Sequence, residues 1–433
     1  MARAGALAIA LLVSACAPAG LPTRTQAPEH SAISGTPFSS SPSATAVVAE
    51  PSASPGNRCG DSRGTSKEPP YAFPKIAIPL GSDACWDIGP LANPQILSLT
   101  NDGSLVAFNA RDLEHERDLW YGDLRTGAVK IAYVAPETPG AKVDIWWPQL
   151  AGGHLLWLEY VHDGEDADHP IEAWALKDMD LATGVVKVIA HDKMPSYGGH
   201  MFAERIRFDG QRIGLLEAPA TGNWQIEIRN LAGNVQSTIP IKGDPFDFAL
   251  VSDGVLYTTG TNDPARDAVS HMHFWHWTPA AGSREIAADV YYVNGEGNLA
   301  AWMVDPEASQ LTTGAFYDQR IYAAAAPFTA GTAISPEVTA NRTMGIDGMA
   351  CGSGSVVWWE RENDNTAPRS VLTLWQPGWS SPIQVDTEGN ESYFVSVRGG
   401  WLVWMEESGR ETLPLMERVR GVPLSTLVTQ RPG

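Results

Sequence analysis

Seven glycine turns, each followed by a short apolar strand, constrain this chain more than any other feature. Gly103, Gly152, Gly210, Gly254, Gly297, Gly354 and Gly399 mark the turns. The strands after them read Leu105-Val-Ala-Phe-Asn109, Leu155-Leu-Trp-Leu-Glu159, Ile213-Gly-Leu-Leu-Glu217, Val255-Leu-Tyr-Thr-Thr259, Leu299-Ala-Ala-Trp-Met303, Val356-Val-Trp-Trp-Glu360 and Leu402-Val-Trp-Met-Glu406. The turns recur every 45 to 60 residues or so, the spacing of propeller blades. The best-defined unit spans Leu99 to Ala132 and reads as four strands. Asn101-Asp-Gly103 turns between the first two, and Arg125-Thr-Gly127 between the last two. One such sheet cannot bury both of its faces, and no helical period interrupts the repeat. The expectation is an all-β fold, a β-propeller of four-stranded antiparallel blades, seven by this count and six or eight if one unit is misread.

Asp-Gly before an apolar strand, then Leu119-Trp-Tyr121, then Asp123-Leu-Arg-Thr-Gly127, resembles the TolB-like propeller repeat. Residues 98–132 carry the resemblance best, and residues 144–189 carry it with Met179-Asp-Leu-Ala-Thr-Gly184. Later units keep only the turn and second strand. The resemblance implies a fold that presents a rim or central channel to protein partners, and fold alone settles no function. The WD-repeat pattern is not met, since the one Trp-Asp pair, Trp86-Asp87, falls outside any matching position.

With 433 residues, 43% hydrophobic, the chain supports a large core. Its net charge of −20 argues against nucleic acid as a partner, because phosphate binding needs a basic surface. The 16 tryptophans are expected to pack between blades, with Trp157, Trp358 and Trp404 at equivalent core positions. On that reading Trp358→Ala costs roughly 3–5 kcal/mol.

The N-terminus reads as a targeting segment, residues 1–16. Arg3 supplies the positive charge, Ala6 to Val13 an apolar run too short to span a bilayer, and Val13-Ser-Ala-Cys16 the end. Small residues before a cysteine resemble the bacterial lipobox, which implies lipidation at Cys16 and an anchor on the extracytoplasmic side of the cell membrane. An ordinary signal peptide is the alternative. Residues 17–70, rich in Ser, Thr, Pro and Ala, are expected to be a disordered tether. Residues 71–433 are then the propeller. Of four cysteines, Cys59 and Cys85 are the first candidates for a disulfide in an oxidising compartment, with Cys85–Cys351 as the rival. A propeller must close, and Lys75 to Leu80 beside Leu413 to Val419 is the expected closing strand.

Catalytic motifs are missing. The one Gly-x-Ser-x-Gly match, Gly60-Asp-Ser-Arg-Gly64, falls in the stretch read as a tether rather than between a strand and a helix, and the chain contains no phosphate-binding Gly-x-x-x-x-Gly-Lys and no His-Glu-x-x-His. His271 and His273 share a strand face, with His276 opposite, but no third metal ligand stands near them. Glu159, Glu217, Glu360 and Glu406 recur at the end of the second strand. Their recurrence points to a structural task shared by the blades rather than to paired acid–base catalysis.

The loops between second and third strands are acidic: Asp112, Glu114 and Glu116, then Asp163, Glu165, Asp166 and Asp168, then Asp263 and Asp267, Asp305 and Glu307, Glu360, Glu362 and Asp364, and Glu406 and Glu407. Up-and-down blades send all of these loops to one side. The expectation is a binding or scaffolding module with an acidic face toward a cationic partner, a protein of the envelope or a calcium ion. Asp163, Glu165, Asp166, Asp168, Glu362 and Asp364 are its candidate residues. A carbohydrate-active enzyme using rim carboxylates and a structural envelope protein are the rival readings.

Overall fold

A computed structural model of the chain describes residues 75–77, 84–87, 95–111, 117–137, 139–162, 171–193, 205–217, 224–241, 243–263, 268–304, 319–336, 344–362, 370–386, 391–408 and 416–429. They form a seven-bladed β-propeller. The blades begin, from the centre outward, with the strands Gln95–Asp102, Val143–Ala151, Arg205–Phe208, Asp244–Val251, Val290–Glu296, Met344–Gly352 and Glu391–Arg398. In blades 1 to 6 the next three strands follow in chain order, each antiparallel to the last. The count of seven and the four-strand unit agree with the turn repeat.

The second strands are buried on both faces, as the repeat implies. His154–His162 is buried at every position but its first. The outermost strand of blade 1, Ala128–Val134, alternates exposed and half-buried residues before its last buried pair. A wedge-shaped blade meets its neighbours near the hub, so the inner strands lose both faces to protein and the rim strand keeps one in water. The core is divided into clusters between adjacent blades. Ile96, Phe108 and Trp120 of blade 1 pack on Trp401, Val403 and Val419 of blade 7. Trp157, Trp358 and Trp404 are fully buried, as expected of core.

Closure differs from the expectation in one respect. The fourth strand of blade 7 is Ala84–Asp87, antiparallel to Met416–Pro423 with Cys85 opposite Arg420. Lys75–Ala77 instead runs parallel to Ile383–Asp386 as a fifth strand of blade 6, Ile76 opposite Val385. The closing strand must reach the first strand of blade 1, and Ala84–Asp87 lies directly before it in the chain. Lys75–Ala77 stands one strand further back and falls one blade further round. A short helix, Leu424–Thr429, ends the described chain and buries Leu424 and Leu427. Cys351 is a free buried thiol, which removes the Cys85–Cys351 pairing. Cys16, Cys59 and residues 1–70 lie outside the described residues.

Candidate functional site: the central channel

Each blade turns from its first to its second strand on the same side of the disc, and these seven turns touch in sequence. Asp102 of blade 1 accepts the Gly152 amide of blade 2 at 2.9 Å. Gly152 and Gly210, both at positive φ, bring the backbones of blades 2 and 3 so close that a Cβ on Gly152 would stand 3.3 Å from the Gly210 carbonyl oxygen. Arg212 donates to the Val251 carbonyl at 2.7 Å, and the Ser252 amide to the Gly297 carbonyl at 2.7 Å. Glu296 accepts the Ser353 amide at 2.7 Å, and the Ser353 hydroxyl accepts the Gly400 amide at 2.9 Å. Asn101 completes the circle by donating to the Arg398 carbonyl at 2.9 Å. Seven blades are thus joined by seven links on one face.

Arg398, at the end of the first strand of blade 7, reaches across the hub. Its Nε donates to Glu296 of blade 5 at 3.1 Å and its Nη1 to the Leu150 carbonyl of blade 2 at 3.2 Å. Its Nη2 donates to the Phe208 carbonyl of blade 3. Four blades therefore share one guanidinium, whose planar fork suits several acceptors at once. Arg398, Glu296 and Asp209 line two spaces. One is a vestibule of about 640 Å³ bordered by the turns Gly152, Gly297, Gly354 and Gly399. The other is a cavity of about 300 Å³ further along the channel, to which all seven blades contribute. The three residues form the partition between them.

Beyond the partition the channel wall is aromatic and neutral-polar. Trp147, Trp359 and Phe394 line it, with Ser98, Thr100, Gln149, Asn294 and Ser396. The charges that face it are matched. Arg207 pairs with Asp247 at 2.6 Å, Arg398 with Glu296, and Asp209 with Arg212 at 2.8 Å. Six of the seven first strands slip register against their second strand, blade 3 being the exception. In blades 2 and 7 the slip spans two residues and leaves Trp147 at φ 54° and Phe394 at φ 45°. Bulky side chains avoid this left-handed region. The Arg205 guanidinium stands 5.5 Å over the Trp147 ring.

The recurrent glutamates serve the interior. Glu159 is held between Lys177 at 2.7 Å and the Tyr133 hydroxyl of blade 1 at 3.1 Å. Burial, and then the Glu159 charge, push the Tyr133 phenol up. Glu360 accepts the Trp358 indole at 3.0 Å, and Glu406 pairs with Arg420 at 3.0 Å. Burial raises the Glu217 carboxyl above its ordinary 4.5, and the neighbouring Glu227 adds to the shift. His273 bonds Glu285 on the adjacent strand, and buried His276 bonds Asp253 at 3.1 Å. No group of three metal-ligating side chains occurs among the described residues. Burial also raises the Cys351 thiol, which leaves it a packing residue.

Of the acidic candidates, Asp163, Glu165, Asp166, Asp168 and Asp364 lie outside the described residues, and Glu362 is seen only as the backbone end of Ser355–Glu362. The strand ends that flank these loops, His162 and Ile171, Glu362 and Ser370, stand on the side opposite the linked turns. Sequence reasoning missed Arg398, Glu296, Trp147 and Phe394. Trp146-Trp147 and Tyr393-Phe394 are pairs of successive aromatics, but Trp358-Trp359 is another such pair and keeps its register, so the pairing alone does not mark a bulge.

No protein-family model and no curated protein sequence matches the chain. Among solved structures it is similar to the β-propeller domain of the Trilobed protease from Pyrococcus furiosus, at 12% identity and a TM-score of 0.51, over 75% of this chain and 95% of that one. It is also similar to the Pyrococcus horikoshii acylaminoacyl peptidase, at 11% identity and a TM-score of 0.51, over 80% of this chain. The chain spans about half the length of that peptidase, 56% of it. At such identities the likeness is one of fold, and the fold is the seven-bladed propeller.

Proposed function

We propose that this chain is an exported, lipid-anchored binding or scaffolding module whose partner approaches the loop side of the disc. The observation that carries the reading is the asymmetry of the two sides. The turn side is interlocked, and Arg398 partitions the channel just behind it. The strand ends His162 and Ile171, Glu362 and Ser370 stand on the opposite side, and the sequence that joins them carries Asp163, Glu165, Asp166 and Asp168 in blade 2 and Asp364, after Glu362, in blade 6. Carboxylates gathered on one side raise a negative field that speeds encounter with a cationic partner over about a Debye length, ~8 Å at physiological salt. The resemblance to the TolB-like repeat supports a protein partner, and the Val13-Ser-Ala-Cys16 sequence supports attachment at Cys16. The recurrent glutamates that a carbohydrate-active enzyme would use are already engaged inside the blades.

Capture of envelope proteins from solubilised membranes, repeated at rising salt, tests the reading. Partner binding falls with salt and falls again in Asp166→Asn/Asp168→Asn, while Cys16→Ser releases the chain from the membrane fraction. Calcium as the cation predicts instead a melting temperature that rises with the ion and loses that rise in the double variant. Binding indifferent to salt and to the double variant contradicts the acidic face.

A further inference from the structure

The channel cavity is itself built as a binding site, distinct from the loop side, and its chemistry names a ligand class. Trp147 and Phe394 both adopt a left-handed backbone conformation that bulky residues avoid, and both line the same cavity from blades 2 and 7. Strain of this kind persists where the surroundings enforce it, and it gathers at ligand sites. Phe394 is 39% exposed, one of the largest apolar exposures among the described residues, although it stands on an innermost strand. The Trp147 indole N–H is shielded from water and has no acceptor.

The remaining lining decides what fits. Arg207, Asp209, Glu296 and Arg398 are each matched by an opposite charge, so the cavity offers no unpaired charge to an ionic ligand. Its other polar groups are hydroxyls and amides, on Ser98, Thr100, Gln149, Asn294 and Ser396. Aromatic faces beside neutral donors and acceptors match a ligand with apolar C–H faces edged by hydroxyls. The volume of about 300 Å³ sits at the small end of ligand pockets and admits one or two hexose-sized rings. We infer that the central channel binds a neutral carbohydrate, a mono- or disaccharide, against Trp147 and Phe394. Arg398 forms the floor of the site. The inference stands apart from the proposed loop-side partner, and either can fail alone.

The test is calorimetric titration of the full chain, in buffer free of sugar-based detergent. The probes are glucose, galactose, maltose, cellobiose and diacetylchitobiose, with glucose 6-phosphate and glucosamine as charged counterparts. At least one neutral sugar binds and perturbs tryptophan fluorescence. Phe394→Ala weakens that binding by about tenfold or more, the loss of one stacking face. Trp147→Phe, which keeps a ring and guards against a folding defect, weakens it less. Phe394→Gly relieves the backbone strain, so it loses sugar binding without lowering the melting temperature. No binding by any neutral probe to folded protein overturns the inference. So does sugar binding that both aromatic variants leave intact, or tighter binding of a charged counterpart than of its neutral sugar.

Discussion

The inner and outer turns of each blade lie on the same side of the disc and use the same residues to opposite ends. The outer turns of blades 1 and 2 close on their own side chains, whereas that of blade 3 leans on blade 2, a Cβ on Gly233 lying 2.8 Å from the Ile189 carbonyl oxygen. At Asp180-Leu-Ala-Thr-Gly184 the Asp180 carboxylate accepts the Ala182 and Thr183 amides of its own turn, and Asp123 accepts the Arg125 amide likewise. Gly127 and Gly184 need their positive φ, yet a Cβ on either would meet nothing within 4 Å. Inner turns are completed by their neighbours. A Cβ on Gly399 would lie 2.1 Å from the Gly103 amide nitrogen and 2.7 Å from its Cα. One glycine serves the chain's own bend, the other the seam between the last blade and the first. A turn motif fixes local geometry, and only the ring decides whether that turn also bears on another blade.

The comparison can be broken at its strongest point first. Gly399→Ala combines a left-handed penalty of about 1–2 kcal/mol with a backbone clash worth about 1–3 kcal/mol, so it costs about 2–5 kcal/mol in denaturant unfolding. Arg398→Met keeps the apolar stem but takes the guanidinium from Glu296, which keeps the Ser353 amide, and from two carbonyls. It costs about 1.5–3 kcal/mol, the range for hydrogen bonds to a charged group. Gly127→Ala, on an outer turn, pays only the conformational term of about 1–2 kcal/mol.

The smallest effect is one of pH. Hydrogen bonds from the Thr183 and Ala182 amides hold the exposed Asp180 carboxyl below its ordinary 3.8. A depressed carboxyl contributes stability that is complete above the unfolded value and is lost as pH falls through the folded one. Asp180→Asn therefore lowers stability slightly at neutral pH, where the contribution is complete, and converges with the unaltered chain in acid, which flattens the acid limb, read by thermal melts from neutral to acid pH.

The fold was legible because its signal is local and repeated. Asp-Gly or Thr-Gly beside a run such as Leu155-Leu-Trp-Leu-Glu159 needs only nearest neighbours to specify a hairpin, and seven copies specify the ring. Trp157, Trp358 and Trp404 were legible as core for the same reason. The closing strand was half legible: Lys75–Ala77 and Ala84–Asp87 are both short segments before the first blade, and only their order along the chain separates their seats. The channel was not legible. Arg398 finds Leu150 and Phe208 across 248 and 190 residues of chain, a meeting that exists only after the ring closes. The matching of Arg207 to Asp247 across a blade boundary is hidden likewise.

The central claim is that the inner turns form one interlocked ring. Native-state hydrogen exchange under rising denaturant reads it at the amides of Gly152, Ser252, Ser353 and Gly400, each donated to the neighbouring blade. The account predicts one shared opening energy for these four, well above that of the Arg125 and Ala182 amides on the outer turns. Four separate opening energies, scattered down to those of the outer turns, would contradict it.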